Sequence, residues 1–461
     1  MSSALAPPPE PAPVAKVSQP RLTSNALFVG TCGVLLFGPL AFGAVEPWSI
    51  FTLEICSVLL FALWAFRQWT NRQLEVDDQP LYRPMAAFFA LAALQLGVGI
   101  TAYRQVTYSH LLLYAAYGML VFVATQTLHR ASQFELMAKL FTAYGAVVAS
   151  FAVLYGLAPN GKLYWIWTLE HGGTVYGPYV NHNHYAGLME MLTPFPLVLA
   201  VTRFTDGNRK IVVAGIAALM AASIFLSGSR GGMVALAAQM VVLGVLLLRK
   251  REEGWRQPVM LGAFLAVVIV FLVWIGGNEV TRRFLSIHSE ARQEITGGTR
   301  LTIDRDCVRM FLKKPLLGWG LGAFPIVYPE FRSFYTTFFV NQAHNDYLQL
   351  LVETGLAGFA IAIWFLVLVF RGAARNLKHL KKSDGTETAS GALTVAALLG
   401  CVGILVHSFV DFNLQIPANA ALFYVLCAIA AAAPLQESQR RRVLRRRHNL
   451  IVQPTPETPA S

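Results

Sequence analysis

The residues with the clearest chemical potential lie in five short polar stretches of an otherwise apolar chain. His344 can act as a general base, because an imidazole ordinarily exchanges its proton near neutral pH. The guanidinium groups of Arg230 and Arg300 can grip phosphate oxygens through two parallel hydrogen bonds. The five stretches are Gly177-Pro-Tyr-Val-Asn-His-Asn-His184, Ser227-Gly-Ser-Arg-Gly-Gly232, Gly297-Gly-Thr-Arg300, Gln342-Ala-His-Asn-Asp-Tyr347 and His407-Ser-Phe-Val-Asp411.

Each arginine has a second interpretation that involves no anion. The glycines around Arg230 let backbone N–H groups approach an anion, but they also suit a tight turn whose arginine reaches lipid headgroups. Anion binding is favoured for Arg230, because arginine is unusual in a short outer loop. Arg300 could bind an anion or pair with Asp304, four residues further along a helix, and the sequence leaves both open.

Three interpretations of His344 compete. It could be an interfacial histidine without a chemical task, a metal ligand together with His182 and His184, or a general base. The carboxylate or cysteine partners expected at metal-site spacing are missing, so no metal site is predicted. The general base is favoured because the two arginines are expected on the same face of the membrane.

A wider set of polar and aromatic residues is predicted to bind a ligand. Asparagine and histidine side chains hydrogen-bond sugar hydroxyls, although helix capping is a strong alternative, with Asn183 as the predicted cap of the next helix. Tyr179 could stack on a sugar or belong to an interfacial aromatic belt. Glu190, a carboxylate within an apolar segment, is expected to support the site. The predicted set comprises Tyr179, Asn181, His182, Asn183, His184, Ser229, Asn345, Asp346 and Tyr347.

The elements that must position these residues are membrane helices. Of the 461 residues, 55% are hydrophobic and only 13% are charged, a composition typical of membrane proteins. A spanning helix needs about 20 apolar residues. The sequence therefore predicts an all-α membrane protein with about twelve transmembrane helices, near 26–44, 49–66, 84–100, 109–126, 135–157, 185–202, 211–227, 231–248, 258–276, 346–370, 391–408 and 417–434.

The distribution of positive charge predicts the orientation of these helices. The net charge is +12, and the basic residues gather in alternate loops and in the C-terminal tail. This positive-inside pattern places both termini in the cytoplasm and the five polar stretches on the opposite, outer face. It also makes membrane lipids, and not nucleic acid, the expected partners of the charge.

The same pattern predicts five regions. Residues 1–24 are rich in proline and alanine and are expected to be a disordered cytoplasmic segment. Residues 25–276 contain helices one to nine, 277–345 form a large periplasmic loop with short helices, 346–434 contain helices ten to twelve, and 435–461 form a basic cytoplasmic tail.

Within the large loop, the segment from Thr299 to Leu312 reads as an amphipathic helix on the bilayer surface. Thr299 is its expected N-cap and Pro315 its expected stop. Its predicted apolar stripe consists of Leu301, Val308, Phe311 and Leu312.

From about Gly177 to Phe412, the order and spacing of these motifs resemble the O-antigen ligase and polymerase superfamily of bacterial glycosyltransferases. The most specific element is Ala343-His-Asn-Asp-Tyr-Leu-Gln349, followed by Glu353-Thr-Gly355. The resemblance implies an inner-membrane enzyme that moves a glycan from undecaprenyl diphosphate to an acceptor at the periplasmic face. It implies His344 as the base, Arg230 and Arg300 on the departing diphosphate, and an inverting transfer with no metal or other cofactor.

The resemblance leaves the acceptor open. A ligase transfers to lipid A–core, a polymerase to another lipid-linked glycan, and a protein O-oligosaccharyltransferase to protein. The single large outer loop late in the chain favours the ligase. A multi-spanning transporter is the alternative from another class, but no repeat relates the two halves and the polar residues gather at one face instead of the bilayer midplane.

Overall fold

The computed structural model describes residues 21–431, apart from 73, 75, 129, 170–172, 202–206, 249–261, 263–265, 267–296, 337–338 and 379–388. The described part is all-α, as predicted, and its only extended pairings are two isolated bridges. Its helices are α1 (Arg21–Leu40), α2 (Pro47–Thr70), α3 (Tyr82–Gly97), α4 (Arg104–Thr127), α5 (Ala131–Leu157), α6 (His182–Leu192), α7 (Pro194–Val201), α8 (Asn208–Ser227), α9 (Arg230–Leu248), α10 (Gly297–Lys313), α11 (Phe324–Val327), α12 (Asp346–Lys378), α13 (Ala389–His407) and α14 (Pro417–Ala431).

Several of these helices are long and apolar enough to cross a membrane, so the chain is a multi-pass membrane protein. Among the described residues there are seven such stretches: Thr23–Leu40, Pro47–Thr70, Arg104–Thr127, Ser132–Leu157, Asn208–Ser227, Arg230–Leu247 and Asp346–Leu377. Gly391–His407 and Pro417–Ala431 are apolar but shorter. The predicted number of twelve is not reached within this part of the chain, and the predicted ninth span, the N-terminal segment to residue 20 and the basic tail lie outside the described residues.

The predicted span 185–202 is wrong as a single helix, because two prolines interrupt it. Pro194 has no N–H to donate to the carbonyl of Glu190, four residues earlier, and Pro196, two residues on, likewise has none for the carbonyl of Leu192. The chain forms the short helices α6 and α7 on either side of Thr193. The carbonyl of Glu190 instead accepts a hydrogen bond of 2.7 Å from the side chain of Gln239.

The centre of the bundle is formed by α6, α7, α13 and α14. The residues of α6 from His184 onward are all buried, and α14 is buried along most of its length. The helix α13 packs against α7, α9 and α14, while α12 lies between α3 and α14. The starts of α6, α9, α12 and α14 and the end of α13 meet at one end of the bundle, called the polar end below.

The helix α12 is broken at Gly355, whose φ of 63° and ψ of −166° are not helical. The break frees backbone groups, and the chain between α10 and α11 satisfies them. The amides of Trp319 and Gly320 donate to the carbonyls of Val352 and Glu353, at 3.0 and 2.9 Å. In return, the amides of residues 356 and 357 donate to the carbonyls of residues 315 and 316.

This backbone pairing explains why residues 318 and 355 are both glycine. A Cβ on Gly355 would lie 2.4 Å from the carbonyl group of Leu316, and a Cβ on Gly318 would lie 2.4 Å from that of Glu353. Because each glycine lacks a Cβ, the backbone of the facing segment can approach it closely. The Glu353 side chain also accepts from the amides of Gly322 and Phe324, which fixes the chain that leads into α11.

The helix α10 begins at Gly297, two residues before the predicted N-cap Thr299, and ends before Pro315 as predicted. It packs through a face that the sequence reading missed, formed by Ile303, Cys307 and Met310, against α11 and the start of α12. Asp306 on the same face is fully buried and accepts from the Tyr328 hydroxyl and the amide of Ser333. Of the predicted stripe, Leu301, Val308 and Leu312 are exposed and Phe311 is half-buried.

We expect Gly355→Ala to destabilise the protein, because the new Cβ meets backbone atoms and the residue has a positive φ. The left-handed conformation by itself costs roughly 1–3 kcal/mol for a residue other than glycine, and the overlap adds to it. The measurement is thermal unfolding of the full chain in detergent. Gly33→Ala in α1, where a Cβ meets no atom within 4 Å, is the control and should leave the melting temperature unchanged or slightly raised.

Candidate functional site at the polar end

The segment that joins α13 to α14 organises the polar end. Residues of this 407–412 segment contact several other helices. Ser408 accepts from the amide of Asp346 and donates through its hydroxyl to the Asp346 carboxylate, which binds the start of α12. Gly231, at the start of α9, packs so closely on the ring of His407 that a Cβ would lie 2.4 Å from it. The starts of three helices thus meet this one segment.

Asp411 is the centre of a cluster with two histidines. Its Oδ1 atom lies 3.7 Å from Nδ1 of His344 and 4.0 Å from Nε2 of His184, and its side chain is 1% exposed. The ring of Phe412 stands edge-on to both imidazoles, with centroid distances of 4.8 and 4.6 Å. Phe412 therefore separates the two rings and keeps both turned toward the carboxylate.

The histidine–carboxylate distances are those of ion pairs and exceed a hydrogen bond. Nδ1 of His344, Nε2 of His184 and Oδ2 of Asp411 are buried and make no hydrogen bond to any described residue. Buried polar atoms are normally satisfied in folded proteins, so three unsatisfied atoms around one carboxylate indicate a reactive or ligand-binding centre.

The histidines around Asp411 lower the pKa of its buried carboxyl group. Burial by itself raises the pKa of a carboxyl group. The interaction with His344 and the charges of His184 and His407 act in the opposite direction and hold the pKa of Asp411 well below its usual range. The surroundings of Asp411 therefore favour its carboxylate form, 3.7 Å from Nδ1 of His344.

His344 itself has a strained backbone. Its φ of 55° is in the left-handed region, which a residue with a side chain rarely adopts. The side chain is 16% exposed, so the ring is mostly buried, with Nδ1 turned toward Asp411 and a small part accessible. Strain of this kind is found preferentially where a side chain must be aimed at a ligand.

Arg300 lies against the same segment. Its Nη1 atom donates a 2.8 Å hydrogen bond to the carbonyl of Val410, one residue before Asp411, and its Nε atom has no partner among the described residues. Half-burial raises the pKa of the Asp304 carboxyl, while the charges of Arg300 and His344 act to lower it. Arg300, Asp304 and His344 therefore belong to one electrostatic neighbourhood, and Asp304 does not take Arg300 away from the segment.

The turn between α8 and α9 is built by the neighbours of Arg230 and not by the arginine side chain. Gly228 ends α8 in the left-handed conformation, and the hydroxyl of Ser229 caps α9 by accepting from the amide of Gly232. Gly231 packs on His407 and the side chain of Val410. The side chain of Arg230 is exposed at the first position of α9, next to this contact.

Three residues of the predicted binding set act as helix caps. Asn181, and not the predicted Asn183, caps α6 by accepting from the amide of Asn183 at 2.8 Å. The side-chain oxygen of Asn345 accepts from the amides of Tyr347 and Leu348 and caps α12. Ser229 caps α9, as described above. Such caps each contribute about 1 kcal/mol to helix stability.

Three further residues of that set are engaged in packing. Asp346 is buried and accepts from the Ser408 hydroxyl at 2.8 Å and the amide of Leu414 at 3.1 Å. The hydroxyl of Tyr347 donates to the carbonyl of Leu405, and that of the buried Tyr179 donates to Asn419. His182 is half-buried at the start of α6, two residues before His184.

Sequence reasoning missed Asp411 as a site residue and His407 as its neighbour. Nδ1 of His407, the first residue of the 407–412 segment, lies 2.8 Å from Oε1 of Glu190, and both side chains are buried. The signal was present, since His407 and Asp411 form one of the five polar stretches. Only their position beside His344 distinguishes them from ordinary helix-end residues.

No group of three or more His, Cys, Asp or Glu side chains within the described residues is arranged to hold a metal ion.

One protein family matches the part of the chain that carries several of these motifs. Residues 215–363, which include Arg230, Arg300 and His344, match the family model described as O-antigen ligase. This part of the chain is similar to the O-antigen ligase family. The resemblance seen in the sequence is therefore confirmed, and the match indicates a glycan-transferring membrane enzyme. No curated protein matches the chain.

We expect Asp346→Ala to destabilise the protein, because the amide of Leu414 and the hydroxyl of Ser408 lose their acceptor. Leaving a buried donor unsatisfied costs roughly 1–3 kcal/mol. Thermal unfolding of the full chain in detergent is the measurement, and the control is Asp78→Ala, whose carboxylate is largely exposed. A normal melting temperature combined with lost activity would instead assign Asp346 to substrate binding. Asp346→Asn keeps one acceptor oxygen and should lose less stability.

Proposed function

We propose that this protein is an O-antigen ligase of the bacterial inner membrane, which transfers a glycan from undecaprenyl diphosphate to a hydroxyl of lipid A–core. The observation that carries the proposal is the cluster of His344 and Asp411, with Arg300 bonded to the adjacent carbonyl of Val410. It joins a base, a carboxylate that supports it and a cation for a phosphate in a membrane protein of this superfamily. The polar end then faces the periplasm.

In the proposed reaction, His344 accepts the proton of the acceptor hydroxyl through Nε2, the ring atom that is not turned to Asp411. The hydroxyl oxygen attacks the anomeric carbon of the donor as the bond from that carbon to the diphosphate oxygen breaks. The configuration at the anomeric carbon is thereby inverted. The imidazolium that forms is stabilised by the negative charge of Asp411, which is paired with it but is not itself protonated.

The departing diphosphate gains negative charge during this step. Fixed cations beside a leaving group stabilise the transition state more effectively than water does, because they need no reorganisation. Arg300 and Arg230 carry this role in the proposal. Arg300 is held by Val410, and its planar guanidinium keeps further N–H groups for phosphate oxygens. Arg230 is exposed at the start of α9, where the helix dipole also attracts an anion.

A cavity of about 530 Å³ between α3, α4, α12 and α14 supports a lipid-linked substrate. Its wall is apolar and aromatic, with Phe88, Tyr114 and Phe359 among the lining residues, and Asp346 and Tyr347 lie at its polar end. The lining includes residues of α12 on both sides of the break at Gly355, from Asp346 to Leu366. An isoprenoid or acyl chain can lie in such a groove while its polar head reaches the 407–412 segment.

The proposal is tested with the purified full chain in lipid nanodiscs, supplied with undecaprenyl-diphosphate glycan and one acceptor at a time. We expect transfer to lipid A–core, followed by gel electrophoresis of the product. His344→Ala should lower the rate by roughly 10²- to 10⁴-fold, the usual contribution of a general base, without a change in melting temperature. Asp411→Asn should also slow transfer, by a smaller factor, because the imidazolium loses its counter-charge.

The acceptor that reacts decides between members of the superfamily. Lengthening of the lipid-linked glycan in place of transfer to lipid A–core would identify a polymerase, and transfer to protein would identify an oligosaccharyltransferase. Full activity of the folded His344→Ala variant would overturn the proposed general base.

A separate prediction concerns the two arginines. Arg300→Lys and Arg230→Lys keep the positive charge but cannot form the two-pronged contact with a phosphate group. We expect each to weaken donor binding about tenfold or more, equivalent to about 1.4 kcal/mol, measured by titration with undecaprenyl diphosphate. Arg104→Lys, an exposed arginine at the start of α4, is the matched control and should bind normally. Normal binding by either site variant would exclude that arginine from the diphosphate site.

A further inference from the structure

The helix α10 has an exposed apolar face in addition to the buried face on which it packs. Leu301, Val308 and Leu312 are 60%, 44% and 67% exposed. At 3.6 residues per turn, the three side chains fall within about 40° of one another and form a single stripe. Isolated exposed leucines are common, but an ordered stripe along a helix that is already packed on its other side requires a partner.

The stripe joins a surface that faces lipid. Leu316, just beyond α10, is 68% exposed, and its neighbour Pro315 accepts a backbone hydrogen bond of 2.8 Å from Leu356 of α12. Leu356 is 49% exposed and lies within the membrane-spanning stretch Asp346–Leu377. Ile363 and Trp364, two turns further along α12, are exposed in the same way. The apolar surface of a spanning helix is therefore continued by α10.

The charges beside the stripe are all positive. Arg305, Arg309 and Lys313 are exposed on one flank of α10. The two carboxylates of the helix point elsewhere: Asp306 is fully buried, and Asp304 is half-buried near Arg300 and His344. Basic residues at the edge of an apolar helical stripe match the anionic headgroups of phospholipids.

We propose that α10 is an interfacial membrane helix, whose stripe of Leu301, Val308 and Leu312 enters the apolar boundary of the leaflet at the polar end. Arg305 and Lys313 bind anionic phospholipid headgroups above it. The opposite flank of the helix carries Arg300 and Asp304, which face the candidate site. The depth of α10 in the leaflet therefore sets the height of that site above the hydrocarbon.

The test measures the depth of single positions on α10 in the full chain. Val308→Cys and Leu312→Cys are labelled separately with an environment-sensitive fluorophore and placed in phosphatidylcholine nanodiscs. Four native cysteines are buried and Cys56 is half-buried, so the unsubstituted chain provides the labelling background. Tyr335→Cys is the matched control, because Tyr335 lies in the same loop outside α10 and is 89% exposed.

We expect both α10 labels to be quenched by a lipid that carries a doxyl group near its headgroup and to be protected from aqueous iodide. The control label should respond to iodide alone. Addition of phosphatidylglycerol should move the α10 labels deeper, and the double variant Arg305→Gln, Lys313→Gln should remove this dependence on anionic lipid.

Iodide quenching of the α10 labels equal to that of the control would overturn the proposal. Cross-linking of Val308→Cys between two chains would overturn it as well, by assigning the stripe to a second copy of the protein. The measured depth does not depend on glycan transfer, so its failure and the failure of the proposed function can be told apart.

Discussion

Inside a membrane, every backbone polar group that a helix leaves unpaired must find its partner within the protein, because hydrocarbon offers none. This constraint explains much of the present architecture. The break at Gly355 is satisfied by residues 315–320, the proline break in α6 and α7 by Gln239, and the connection after α13 by Asp346. Each solution joins segments that are distant in sequence. Backbone groups in these irregular segments therefore have hydrogen-bond partners, as those within the helices do.

The same constraint makes the 407–412 segment able to organise a site. Asp346 fixes the segment to α12, and Gly231, at the start of α9, fits against His407. His407 is in turn paired with the buried Glu190 of α6. Within this frame, buried polar atoms of His344, His184 and Asp411 that lack a hydrogen bond gather around one carboxylate. A rigid frame around a few unsatisfied groups is the arrangement that preorganised catalysis needs.

A membrane enzyme that joins two lipid-borne substrates must also hold its reactive groups at the depth where the polar heads of those substrates lie. In the proposed arrangement, α10 both contacts the membrane and positions part of the site. One of its faces packs on the loop core, one flank presents Arg300 to the 407–412 segment, and the exposed stripe meets the leaflet. A single short helix can then fix the height of the site relative to the membrane surface, and no separate domain is needed for this.

The local sequence was sufficient for those features that depend on near neighbours. Apolar length and charge bias predicted an all-α membrane protein, and proline and glycine marked the ends of α8, α10 and the turn before α9. The residues Arg230, Arg300 and His344 were selected as candidates from their chemistry, and their motifs led to the superfamily. The buried face of α10 was missed, because its second apolar stripe has the same helical period as the exposed one.

The partners of these residues were decided by the tertiary structure. Nothing local assigns Asp411 to His344, Asp346 to Ser408 and Leu414, or Gly318 to Glu353, since each pair is separated by tens of residues and meets only when the helices pack. Capping roles for Asn181 and Asn345 likewise required the observed helix starts. The sequence by itself determined the helices and the reactive side chains, whose propensities are local. Packing alone decided which of those side chains share a site, because burial and proximity are properties of the folded chain.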